Sequence, residues 1–219
     1  MNENELKALL AEAVRDADLH PNEIPSIDLY LDQITSLADE KRKEGSPRFA
    51  DRALTKTMIN NYSKDGLITP VKGKKYTKEQ IVQMLTVYSL KNTLSIEEIG
   101  RVMQSIYGAP EYSGQGLIAA YDKAMALKQT QKHRCPEIVQ QMMEEEGLSS
   151  ESSEDYFVAL LTVASLSAYF RNIAKAMLEE YPAPESDEEK KAREKEEKRE
   201  RKEAKKRAEA AGKAQEERV

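Results

Sequence analysis

Between Leu54 and Gln80 the chain reads LTKTMINNYSKDGLITPVKGKKYTKEQ, and its polar side chains share one kind of chemistry. Lys56, Thr57, Asn60, Asn61 and Lys64 are spaced so that a helix would carry all five on its outward side. An asparagine amide offers a donor beside an acceptor and can pair twice with the edge of adenine. Threonine can touch a base or the thymine methyl, and lysine can reach guanine. Farther along, Lys72, Lys74, Lys75 and Lys78 carry charge suited to phosphate oxygens. A helix faced with lysine and asparagine is, on its own, most often only solvated, so the weight rests on the combination.

Other chemistries find less material. His133-Arg-Cys135 is the only pairing of a nucleophile with a base, but residues two apart need not face each other and no orienting carboxylate accompanies them. His20 and His133 are too few for a histidine metal cluster, and one cysteine allows neither a disulfide framework nor a cysteine-based metal site. No glycine-rich loop precedes a helix in the manner of a phosphate cradle. The expectation is a protein that is not an enzyme, with no cofactor and no metal.

Charge distribution says more than net charge. The 219-residue chain carries -5 overall, yet from Lys41 to Lys91 twelve Lys or Arg face four acids, a local +8 that leaves -13 elsewhere. A basic patch inside an acidic chain is the electrostatic footprint of a nucleic-acid contact. The lysines at 41 and 43 and Arg42 read as a solvated helix end, and Tyr62, Tyr76 and Tyr88, on apolar faces, as core. An acidic opening without an apolar run, and no stretch of about 18 uncharged apolar residues, predict a cytoplasmic protein with no membrane partner.

The elements that must position these residues follow from periodicity and caps. Leu6, Leu9, Leu10, Ala13 and Val14 predict a first short helix ended by His20-Pro21. Ser26 is expected to cap a second, with Ile27, Tyr30, Leu31, Ile34, Leu37 and Ala38 as its stripe, running out in the connector EKRKEGSPR. Thr55 caps helix 56–64, Asp65-Gly66 stops it, and 71–76 folds into a miniature hairpin in which Gly73 takes a positive φ. Thr77 to Gln80 and Ser95 to Glu98 are capping boxes that open two further helices. Residues 107–116 read as loop, 117–132 and 136–146 as two helices with Pro136 in the first turn of the second, and 156–170 as a central buried helix that fills the body's own core in preference to forming the dimer surface. Beyond Pro184, thirteen basic and twelve acidic residues at i, i+4 spacings predict a solvated, helical or disordered tail.

The order of helix, polar-faced helix, Gly-Leu-Ile-x-Pro, lysine-bearing hairpin, Tyr-Thr, capped helix and LSIEEI resembles the winged helix-turn-helix head of the mercury-resistance regulator (MerR) superfamily. Thr55, Tyr62, Gly66, Leu67, Ile68, Pro70, Tyr76, Thr77, Ser95, Ile96, Glu97, Glu98 and Ile99 fall in that order. From about Ile24 to Met103 the chain is more closely similar to the bacterial family catalogued as domain of unknown function 1836, through IPSIDLYLDQIT, LTKTMINNYSKDGLI and KKYTKEQI. It departs from the superfamily in having Asn60-Asn61 where Arg-Tyr is common, and a short lysine-only wing, VKGKK. The resemblance implies a DNA-binding transcription regulator.

The expected organisation is mainly all-α: an N-terminal helix (1–23), a MerR-like winged helix-turn-helix head with a very short β-hairpin wing (24–106), a helical body (107–184) and a charged tail (185–219). The expected activity is sequence-specific binding of double-stranded DNA by a homodimer, in which helix 55–64 enters the major groove and the 71–76 hairpin meets the backbone. The alternative is a protein-interaction adaptor on the same scaffold without DNA activity. No small-molecule effector is named by the sequence.

Overall fold

The computed structural model describes residues 1–49, 51–182, 195, 196 and 199, and among them the chain is mainly helical, with seven α-helices and one two-stranded sheet. The tail expected over 185–219 lies outside the described residues, apart from Lys195, Glu196 and Arg199, which are helical. Helix α1 spans Glu3–Ala13, opened by an Asn2–Glu5 capping box. It ends well before His20-Pro21, which starts a 3-10 turn instead. The intervening segment has no regular structure and is pinned to a later helix by Asp16 and Asp18.

Strand β1 is Leu29–Tyr30, and helix α2 follows directly over Leu31–Arg42. Ser26 is therefore not the cap. Tyr30 holds that place, its N–H donating to Gln33 Oε1 at 2.9 Å, because Leu29 and Tyr30 are drawn into strand pairing. Ile27 is left exposed, outside the stripe. The connector to the next helix is long but tied down. Ser46, fully buried, donates from its N–H to the Arg15 carbonyl at 2.7 Å and from its hydroxyl to Glu12 at 3.0 Å. A Cβ on Gly45 would meet that same Arg15 carbonyl at 3.1 Å, so the close approach favours glycine.

Helix α3 occupies Lys56–Lys64, strand β2 Lys75–Tyr76, helix α4 Lys78–Leu90 and helix α5 Ile96–Gly108. Thr55, Thr77 and Ser95 each accept the N–H three residues on, and the latter two complete their boxes through Gln80 and Glu98. Gly66 and Gly73 adopt the left-handed conformations that a helix stop and a tight turn require, at φ +69 and +84. Strand β2 pairs antiparallel with β1, Leu29 opposite Tyr76 and Tyr30 opposite Lys75.

Helix α6 runs without interruption over Gly114–Glu145, with Pro136 inside it, so the two expected helices are one. A proline in a helix interior forfeits one hydrogen bond and costs about 3 kcal/mol. Here both halves of α6 are held by tertiary contacts, Tyr121 and Met125 on one side of Pro136 and Met143 on the other, and the helix carries through.

Helix α7 spans Ser153–Glu179 and overturns the expectation of a central buried helix at 156–170. Only Ala159 and Leu178 are buried along it, while Phe157, Val158, Leu160, Leu161, Tyr169 and Phe170 are exposed. The main core lies elsewhere. It runs from Leu19 to Met125 and centres on Ile34, Ile59, Leu67, Ile81, Met84, Ile99 and Met103. A smaller cluster joins Leu6, Met143 and Ala159.

Candidate nucleic-acid interface

The geometry of α3 follows from its two faces. Ile59 and Tyr62 are buried, Leu54 and Leu67 close the inner side before and after, and the Thr55 cap and Gly66 stop fix both ends. Lys56, Thr57, Asn60, Asn61 and Lys64 are then all left on the solvent side. At nine residues α3 is too short to hold itself together in water, so its inner side chains keep the outer five in register.

The segment after α3 is held by α4 through two buried glutamines, Gln80 of the capping box and Gln83, whose tie to Thr69 and Pro70 was not anticipated. Gln83, fully buried, accepts from the Thr69 N–H at 2.9 Å and its hydroxyl at 3.1 Å, and donates to Glu79 and to the Tyr112 hydroxyl, each at 3.2 Å. Gln80 donates to the carbonyls of Thr69 and Pro70, both at 3.2 Å. The one sequence signal was two glutamines among apolar residues in EQIVQML. Tyr107 adds a hydrogen bond from its hydroxyl to the Leu67 carbonyl at 2.8 Å.

Residues 71–76 do not form the expected hairpin with themselves. Thr69 and Pro70 have their backbone groups committed to the glutamines, and proline has no N–H to offer. Lys75–Tyr76 pairs instead with β1, in front of α2. Lys72, Gly73 and Lys74 form an exposed turn at the end of this pairing, and Lys75 lies over the Tyr30 ring at 4.9 Å. A surface groove lined by Asn60 and Ser63 of α3, by Pro70 and Val71 before the turn and by Gly73 within it places the two features side by side.

The positive charges differ in availability. Lys41 is bonded to Glu23 and Glu44 at 2.7 and 2.8 Å, and Arg42 and Lys43 both meet Asp39, so the expected solvated helix end is also internally paired. Lys56 pairs with Asp32 at the start of α2, with both side chains well exposed, a contact worth little. Lys64, Lys72 and Lys74 have no acidic partner among the described residues. Lys78 is half-buried and donates to the Ile24 carbonyl at 3.4 Å, which ties it to the loop before β1.

The tyrosines serve structure. Burial, and then Asp51, push the Tyr88 phenol up to about 12, and its hydroxyl donates to the Arg52 carbonyl at 2.6 Å, closing the connector onto α4. Burial likewise raises the Tyr62 and Tyr107 phenols. No group of three His, Cys, Asp or Glu residues suited to a metal ion occurs among the described residues.

Residues 19–124 match the family model described as domain of unknown function (DUF1836), and this part of the chain is similar to that family. The match reaches beyond the Ile24 to Met103 stretch in which the resemblance was read. It nearly coincides with the main core, which begins at Leu19 and ends at Met125. Helix α1, α6 beyond Ala124 and all of α7 lie outside it. No curated protein and no solved structure matches the chain.

Proposed function

We propose that the chain is a cytoplasmic, sequence-specific DNA-binding transcriptional regulator with a MerR-like winged head. Helix α3 enters the major groove, and the Lys72–Lys75 turn serves as a short wing on the phosphate backbone. One observation carries this reading: five side chains able to meet bases or phosphates share the solvent face of a capped, core-anchored helix, and Gly73 of the lysine turn lines one groove with Asn60 of that helix. Asn60 and Asn61 are the candidates for base recognition, with Thr57, Lys56 and Lys64 flanking them. Lys72, Lys74 and Lys75 supply phosphate contacts, and Lys78 acts from behind them.

Selection of bound fragments from random or genomic DNA tests the reading directly. An enriched motif is expected, and each of Asn60→Ala and Asn61→Ala should weaken its binding by about 1–3 kcal/mol while sparing non-specific DNA. Lys74→Ala should weaken all sequences alike and lower the salt slope by about one. No enrichment, together with DNA retention that ignores these changes in folded protein, would sink it. The second reading, an interaction adaptor on the same scaffold, is favoured by the exposed apolar helix α7, and it predicts no salt-dependent retention on heparin or DNA.

A further inference from the structure

Helix α7 is the largest anomaly on the surface. A helix apolar on all sides belongs inside something. Yet α7 is fastened only near its ends. At the start, Asp155 accepts from the Ser149 N–H at 3.0 Å and Ala159 packs with Leu6 and Met143. At the finish, Arg101 of α5 donates to the carbonyls of Glu179 and Tyr181 at 3.1 and 3.3 Å, and Lys175 pairs with Glu98 at 3.1 Å. Between Ala159 and Leu178 no residue is buried. There a groove opens between α6 and α7, lined by Cys135 and Ile138 on one side and Val163, Ser167 and Phe170 on the other.

The exposed area is large enough to decide what it is for. Eight large apolar side chains of α7 are between 47% and 69% exposed. At about 150–250 Å² for an aromatic side chain and somewhat less for an aliphatic one, they leave on the order of 800 Å² open. The largest patch on a typical monomer is about 300–600 Å². Each partner of a stable protein pair covers about 800 Å².

Three occupants compete. The segment 185–219 of the same chain has thirteen basic and twelve acidic residues and no large apolar side chain before Val219, so its composition does not suit an apolar helix. Helix α7 is long and apolar enough, by length and composition, to cross a membrane. Its uncharged run 156–170, however, rises only about 22 Å against a hydrocarbon core of about 30 Å. Insertion would also strip the contacts at both ends and drag in α6, which carries Lys128, Lys132, Arg134 and Glu137 alongside. A second copy offers what α7 lacks: another apolar helix and another groove of the same shape.

We propose that α7 is the docking surface for a second copy of this chain. Two α6–α7 pairs associate about a two-fold axis, and each α7 covers the groove between α6 and α7 of the other. Such an interface is self-complementary, as a two-fold contact must be, and gives α7 neighbours on several sides instead of one. The Arg101 and Glu98 contacts then tie the dimer to α5, and so to the main core of each copy. The association needs no DNA and stands whether or not α3 reads bases.

Light scattering or sedimentation of the full chain at about 10 μM, above the Kd expected of an interface of this size, should give twice the single-chain mass. The double variant Leu161→Glu with Phe170→Glu should weaken the dimer by at least about a hundredfold and give the single-chain mass, with its circular dichroism unchanged because both sites are exposed in one copy. Asn60→Ala with Asn61→Ala should leave the mass untouched, which separates this result from any failure to bind DNA. A single-chain mass for the wild type, or a dimer that survives the double variant, overturns the proposal. Flotation of a monomeric wild type with phosphatidylcholine–phosphatidylglycerol vesicles would also overturn it and assign α7 to a lipid surface.

Discussion

Helices α4 and α7 reverse the usual relation between composition and burial. Helix α4 has thirteen residues, of which seven are buried, two of them glutamines; α7 has twenty-seven and buries two. The difference is neighbours. Helix α4 meets α3, β2 and α6, whereas α7 meets α6 near its start and α5 near its end. Burial is set by how many elements the topology brings to a helix, and hydrophobicity only fixes what the chain gains when they arrive.

The sharpest way to break this contrast is a matched pair of truncations. Met84→Ala in α4 should lower the unfolding free energy by about 2–5 kcal/mol in denaturant titrations. Leu161→Ala in α7, measured where the chain is a single copy, should change it by no more than about 0.5 kcal/mol. Equal losses would mean that α7 has cover within its own chain.

A smaller effect sharpens the α4 side. Gln83→Leu removes the acceptor for the Thr69 N–H and hydroxyl and should cost about 1–3 kcal/mol in thermal melts, since a buried donor is left without a partner. Next comes the cap of α3, a helix held like α4 by its inner face. Thr55→Ala should cost about 0.5–2 kcal/mol, and Thr55→Asp should restore most of it, because any short acceptor at that place receives the Met58 N–H.

The smallest effect concerns the polar fastening that α6 has and the middle of α7 lacks. Burial raises the Asp16 carboxyl, but hydrogen bonds and charge from Lys128 and Lys132 outweigh it and hold the group below its ordinary range. A carboxyl lowered on folding contributes fully above its unfolded value, near pH 4, and loses that contribution as pH falls through the folded value. With the Asp16 and Lys128 side chains 37% and 42% exposed, solvent screening keeps the contribution under about 1 kcal/mol. Melting temperatures should therefore drop below about pH 4 in the wild type and drop less in Lys128→Met.

What was legible in the sequence was local. The caps at Thr55, Thr77 and Ser95, the helix stop at Gly66, the turn at Gly73, and the split of α3 into Ile59 and Tyr62 inside and Asn60 and Asn61 outside each depend on a few adjacent residues. What was not legible depends on partners far along the chain. Lys75–Tyr76 could pair with the residues just before it, at 71–72, or with Leu29–Tyr30 about 45 residues back, and nothing in the local sequence separates the two. Pro136 looked like a boundary because tertiary anchors on both halves of α6 leave no mark nearby. The run 156–170 looked internal because composition records a need for cover without saying which molecule provides it.

The two-residue pairing of β1 with β2 also bears on the order of folding. It joins residues about 45 apart and encloses α2 and α3 within one loop, whose closure costs roughly 3 kcal/mol of chain entropy before any contact offsets it. Two paired residues cannot meet that cost alone. The pairing must therefore form late, once α2, α3 and the capped start of α4 have assembled around Ile34, Ile59 and Ile81. The lysine turn would take its final place as one of the last events on the way to the native head.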